Sequence, residues 1–264
     1  RLASLMALEQ PDSPAARRIA AEMYRQVTKP FTVYPGMSSA VMDYQNIMGF
    51  LVLLFCVVIA APVFSSGYQS GADSILRCTR HGRARLGAAK AAAALLVSGA
   101  AFAICAAVYI LASNSLFGWE CAETSIQMVY SIVTLADMDV GQLQVLFAAA
   151  GLLSVLASVS FTLFLSSRCR STAASLAAAL IFSIAPAVIS MTVPGPLSAW
   201  LCSILPAGGT SIQSSFLYAL TDFRFLTAGS LAVWTPWAII GFSAIEIPLF
   251  SLLSVRSYRR HTAG

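Results

Sequence analysis

Residues 91–112 pass without a single charged side chain, and so do residues 47–64, 143–165 and 172–193. A bilayer core about 30 Å thick is crossed by a helix of roughly 20 mostly apolar residues, so each run is of spanning length. A fifth run, residues 232–255, is as long but contains Glu246 and Pro248. All five are continuously apolar rather than alternating. In lipid only helices and closed barrels satisfy their own backbone, and barrel strands alternate, so helices are expected. Composition points the same way: 58% of the chain is hydrophobic and 10% charged, against roughly 25% charged in soluble domains. The expected fold is an all-α polytopic membrane protein: an N-terminal segment (1–46), a transmembrane domain (47–255) and a short tail (256–264).

Basic residues near span ends stay on the cytoplasmic side. Arg77, Arg80, Arg83, Arg85 and Lys90 follow the first span, Arg168 and Arg170 separate the third from the fourth, and Arg256, Arg259 and Arg260 follow the fifth. The intervening connections contain no Lys or Arg in residues 113–142 and only Arg224 in residues 194–231. This alternation predicts a cytoplasmic C-terminus and an extracellular N-terminal segment. An odd number of spans puts the ends on opposite sides, so one more span before Arg1, six in the full chain, is expected. In residues 1–46, Ser13 and Pro14 have the chemistry of a helix cap and first position, and Ile19, Met23 and Val27 share one face. A short, surface-lying amphipathic connector is predicted there.

Residues 65–90, SSGYQSGADSILRCTRHGRARLGAAK, are the most basic stretch of the chain. Within them Ala72, Ile75, Leu76 and Thr79 fall at helical spacing, with Asp73 in the first turn and Arg77 and Arg80 near the end, as the helix dipole favours. So short a helix is marginal alone in water, so its apolar face must rest on lipid, on span ends or on another protein. From charge alone, the stretch reads equally well as an orientation signal.

The run Tyr68-Gln-Ser-Gly71-Ala-Asp-Ser-Ile-Leu76, followed by Arg-His-Gly-Arg83 and by Lys90 at the start of a span, resembles the first cytoplasmic loop of ATP-binding-cassette (ABC) type-2 permeases. Tyr68, Gly71, Leu76, Arg83 and Lys90 match that family's pattern. Gly67 stands where the family commonly has Glu, and Ala72 replaces its usual Thr. The resemblance implies a coupling helix docked on a separate nucleotide-binding ATPase subunit, with Tyr68, Ile75, Leu76 and Thr79 giving contact area and Arg77, Arg80 and Arg83 addressing acidic groups. It also implies a bacterial plasma-membrane exporter with a second permease subunit, and ATP and Mg held by the partner rather than by this chain. Substrates in the family include peptides such as lantibiotics, drugs, lipids and polysaccharides. No nucleic-acid partner is expected.

The chain carries no G-x-x-x-x-G-K-[ST] run that would cradle phosphates. An intramembrane enzyme is disfavoured because both histidines, His81 and His261, lie outside the spans, which leaves Ser154, Ser158, Ser160 and Ser183 without an activating base. Such serines ordinarily bond their own helix or join helices. A scaffold or sensor without transport is the alternative. Glu246 is the carboxylate deep in a span, where ionisable groups usually mark a pathway, a cavity or a partner. Residues 194–231 are apolar for a connection and suggest a re-entrant or interfacial helix pair, with Trp234 and Trp237 as headgroup anchors. Cys121 and Cys202 share the oxidising side, so a disulfide between them is geometrically open. Cys78-x-x-His81 is a single pair, too few ligands for a metal site.

Overall fold

The computed structural model of the protein describes residues 2–9, 13–71, 84–193, 195–212, 214–229 and 231–260. Among these, five helical segments are long and apolar enough to cross a membrane. The molecule is an all-α, multi-pass membrane protein.

The N-terminal segment forms α1 (Leu2–Glu9) and α2 (Pro14–Gln26). As the sequence predicts, Ser13 caps α2, its Oγ accepting from the Ala16 amide at 3.2 Å. The first span is α3 (Ser39–Ala60), continued after a break by α4 (Pro62–Ser70). The second is α5 (Ala84–Phe117). A 3-10 turn (Trp119–Glu123) and a single turn, α6 (Ile126–Val129), lead to the third span, α7 (Val140–Arg168). Asp139 and Gln142 form a reciprocal capping box at its start. The fourth span is α8 (Thr172–Thr192), which contains Pro186. Then come α9 (Pro196–Ile204), a 3-10 turn (Gly208–Thr210), α10 (Phe216–Thr221), and a hairpin of β1 (Phe225–Ala228) and β2 (Leu231–Trp234). The last span is α11 (Thr235–Arg260).

Helix α7 is the axis of the bundle. It packs on α3, α4, α5, α8 and most extensively on α11. Many of its buried positions are small or hydroxylated, Gly151, Ser154, Ala157, Ser158 and Thr162 among them, which lets neighbouring backbones approach without a water-driven hydrophobic force. The outward faces carry Leu51, Phe55, Leu96, Ile104, Ile181 and Leu252, all exposed, as lipid contact requires.

Two packed regions form along the axis. At the end where α7 begins, Met6, Ala16, Ala20, Met42, Ile126, Phe216, Leu217 and Trp234 belong to one core. The N-terminal segment is therefore part of a folded cap and not the surface-lying connector expected from its sequence. Its amphipathic face rests on protein, and Thr28 ties it to Asp137 at 2.8 Å. Trp234 is also corrected: it is 9% exposed and packs in this core, whereas Trp237 is exposed. The fifth span starts at Thr235, because residues 231–234 are the second strand of the hairpin. That hairpin has no counterpart in the sequence reading.

The connection before the last span does re-enter the bundle. Ser154, midway along α7, donates from Oγ to the Pro206 carbonyl at 2.8 Å, and Ala207 packs in the second core with Val155 and Leu163. Irregular backbone at this depth is tolerated because protein surrounds it. Cys121 and Cys202 are both free thiols. Cys121 faces the Pro35 and Phe117 carbonyls and Cys202 the Pro186 carbonyl, so the sulfurs serve separate contacts.

Candidate coupling site at the arginine-rich end

The ends of α4, α7 and α11 and the beginnings of α5 and α8 meet at the opposite pole of the bundle from the cap. Segment 72–83 joins α4 to α5 there in sequence. Ile75, Leu76, Arg77, Thr79, Arg80 and Arg83 lie outside the described residues, while Tyr68 and Gly71 stand at the near edge of that segment.

Pro62 lacks an amide hydrogen and breaks the first span, which frees backbone groups inside the protein. Their partners come from other helices. The Ser166 hydroxyl of α7 accepts from the Phe64 and Ser65 amides, each at 3.1 Å, and donates to the Ala61 carbonyl at 2.6 Å. The same carbonyl accepts from Ser65 Oγ at 2.9 Å and from Ser175 Oγ of α8 at 3.0 Å. A hydroxyl thus sits in the i to i−4 ladder, a recognised cause of a helix kink.

Beyond the kink, α4 runs to Gly71, whose φ of 72° is the left-handed conformation that ends helices and suits glycine. Tyr68 donates from its hydroxyl to the Ser167 carbonyl at 3.4 Å, and Gln69 Oε1 accepts from Thr172 Oγ1 at 2.9 Å. So α4 is fastened to the turn between α7 and α8. From the last span, Ser257 donates to the same Ser167 carbonyl at 3.3 Å.

Tyr258 is the centre of this arrangement. It is fully buried, its ring centroid is 5.1 Å from that of Phe64 and 6.2 Å from that of Tyr68, and the tyrosine pair is stacked at 24°. Lys90 of α5 sets its Nζ 5.8 Å from the Tyr258 centroid and 5.9 Å from the Phe64 centroid, within cation–π range. Gly87, one turn earlier, admits the ring: a Cβ there would lie 2.8 Å from Tyr258 Cδ1. The helices that flank segment 72–83, α4 and α5, are therefore both held against α11 by one tyrosine. Of the residues singled out by sequence, Tyr68, Gly71 and Lys90 come together here. Phe64, Gly87, Ser166, Ser175 and Tyr258 were missed, since a serine near a span end or a tyrosine before two arginines looks like ordinary interfacial sequence.

Glu246 lies elsewhere, midway along α11 on the face that also buries Ser243 and Ile239. It is 9% exposed, and its Oε2 has no hydrogen-bond partner among the described residues. Ser158 Oγ on α7 is likewise unpartnered there. The other span serines behave as sequence predicts: Ser160 and Ser183 bond back to their own helices, and Ser160 also reaches Ser251 of α11 at 3.2 Å. No cluster of three or more His, Cys, Asp or Glu able to hold a metal occurs among the described residues.

No family model matches this chain, and no curated protein matches it.

Proposed function

We propose that the chain is the membrane-spanning permease subunit of an ABC transporter, with segment 72–83 as the element that receives force from a separate ATPase. One observation carries this reading. The two stems of the segment are fixed to the ends of α5, α7 and α11 through Tyr68, Lys90 and Tyr258. A displacement applied between the stems would be passed to three spans as a rigid-body movement, since packed helices shift discretely rather than deform. Ile75, Leu76 and Thr79 would supply apolar contact to the partner, and Arg77, Arg80 and Arg83 would face acidic groups on it. ATP and Mg would be bound by that partner, and a second permease subunit would complete the transporter. The arginine-rich end, with the C-terminus, would face the cytoplasm of a bacterial cell, and the cargo would be a peptide, drug or lipid-like molecule moving outward. Glu246, whose buried Oε2 has no partner among the described residues, is the candidate pathway residue.

The test is affinity purification of the tagged chain from native membranes, with mass spectrometry and an ATPase assay. A co-purifying nucleotide-binding subunit, lost on replacing residues 72–80 by a Gly/Ser linker and weakened by Arg77→Glu/Arg80→Glu, is expected. Absence of any ATPase would overturn the reading in favour of a scaffold or sensor. With a transport assay in hand, Glu246→Gln is expected to change the pH dependence of transport, and an unchanged profile would remove Glu246 from the pathway.

A further inference from the structure

The arginine-rich end opens between α7 and α11 into a cleft of about 450 Å³ lined by Arg168, Arg170, Arg256 and Arg260. None of the four forms an ion pair among the described residues; the ion pair found there joins Arg224 to Asp222 in the connection before the last span. The described residues of this end include no Asp or Glu at all. Four exposed guanidinium groups lining one cleft give it a positive potential that attracts anions, and their planar donor forks suit phosphate in particular.

The floor of the cleft is as informative as its rim. Phe164 lines it, with the Arg168 guanidinium 5.5 Å from the ring centroid. Phe250 of α11 lies 6.0 Å from Phe164 and 4.9 Å from Phe161, which meets Phe182 of α8 at 5.1 Å. These rings form an aromatic wall that meets the cleft at Phe164, and Leu249 and Leu252, flanking Phe250 on α11, are 48% and 71% exposed. A soluble anion would use the rim and leave the wall idle. An amphiphile with a phosphate head and an acyl tail would use both.

We propose that this cleft seats the headgroup of an anionic phospholipid from the adjacent leaflet, its phosphate among Arg168, Arg170, Arg256 and Arg260 and an acyl chain along Phe164 and Phe250. The site is independent of the transport reading, since it requires no ATPase. It brackets the Ser257 to Ser167 bond, so an occupied cleft holds the ends of α7 and α11 together.

The experiment is native mass spectrometry of the full chain released from micelles doped with phosphatidylglycerol or with phosphatidylcholine, alongside thermal unfolding in the same mixtures. The parent should retain phosphatidylglycerol selectively and unfold at higher temperature with it. Arg168→Gln/Arg256→Gln should weaken retention about 25-fold, on the basis of roughly fivefold for each basic residue at a lipid surface. Arg85→Gln/Arg259→Gln, which removes equal charge from the same end but outside the cleft, should leave retention near that of the parent. Arg168→Lys/Arg256→Lys, which keeps the charge but not the planar fork, should retain more phosphatidylglycerol than the Gln pair and less than the parent, and an unfolding temperature of the Gln pair in phosphatidylcholine equal to the parent's shows that it folds. Equal retention of the two lipids, or equal losses in the two Gln pairs, would overturn the proposal. Displacement of the lipid by inorganic phosphate at matched concentration would overturn it too, by assigning the cleft to a soluble anion.

Discussion

Replacing Ser166 by Ala removes one oxygen that serves three backbone groups at the kink of the first span. The Ala61 carbonyl keeps the Ser65 and Ser175 hydroxyls and remains satisfied. The Phe64 and Ser65 amides lose their partner. An unpaired buried N–H costs about 1–3 kcal/mol. Straightening of the kink would let one amide recover the Ala61 carbonyl, which leaves one orphan and the strain of moving α4. Interhelical hydrogen bonds in membranes measure about 0.6 kcal/mol on average and up to about 1.7. Combining these limits gives an expected loss of about 2 kcal/mol, roughly thirtyfold in the folded-to-unfolded ratio. Ser175→Ala is the internal control. It removes one of three donors to a carbonyl that keeps two, so about 0.6 kcal/mol or less is expected. Reversible unfolding in mixed micelles, followed by circular dichroism, measures both, and hydrogen exchange of the peptide containing Phe64 and Ser65 locates the defect. The explanation fails if Ser166→Ala is no more destabilising than Ser175→Ala, or if exchange at Phe64 and Ser65 is unchanged.

Two glycines should respond to alanine with opposite signs: Gly87→Ala drives a Cβ into the buried Tyr258 ring and is expected to destabilise the bundle, whereas Gly241→Ala meets nothing within 4 Å and should gain up to about 1 kcal/mol of helix propensity, both read by the same unfolding assay. Tyr258→Ala deletes a fully buried ring at the junction of three elements and should cost about 3–5 kcal/mol, and Tyr258→Phe should recover most of that. In the cap, burial first, and then the Asp43 carboxylate that accepts the Tyr218 hydroxyl at 3.0 Å, push the Tyr218 phenol up to about 12. Its folded form thus holds the proton more tightly than the unfolded chain, whose ordinary value is about 10. The associated stability is intact below pH 10 and disappears as pH rises through about 12. Ultraviolet titration should show that Tyr218→Phe loses amplitude from the late-ionising phase near pH 12, and a loss taken instead from the phase near pH 10 would refute the assignment.

The five spans were legible from residue order alone, because the need for a continuous apolar run is set by bilayer thickness and by the backbone, with no knowledge of neighbours. The α2 cap was equally local: a hydroxyl at Ser13 reaches an amide three residues away. The alternation of basic connections likewise gathered Arg168, Arg170, Arg256 and Arg260 at one end before any helix was placed. What residue order could not give was partnership. Pro62 marks a break in the first span, but that Ser166 and Ser175 fill it depends on how α7 and α8 dock, about a hundred residues away in sequence. Tyr258 reads as one more interfacial aromatic until Gly87, Phe64, Tyr68 and Lys90 close around it. Trp234 and the N-terminal helices looked like surface elements because amphipathicity reports that a face must be covered and not what covers it. Local chemistry therefore determined which segments cross the membrane and where their charge lies. Which hydroxyl, ring or guanidinium meets which partner was decided by tertiary packing, since those contacts are set by distances in space that no periodicity along the chain encodes.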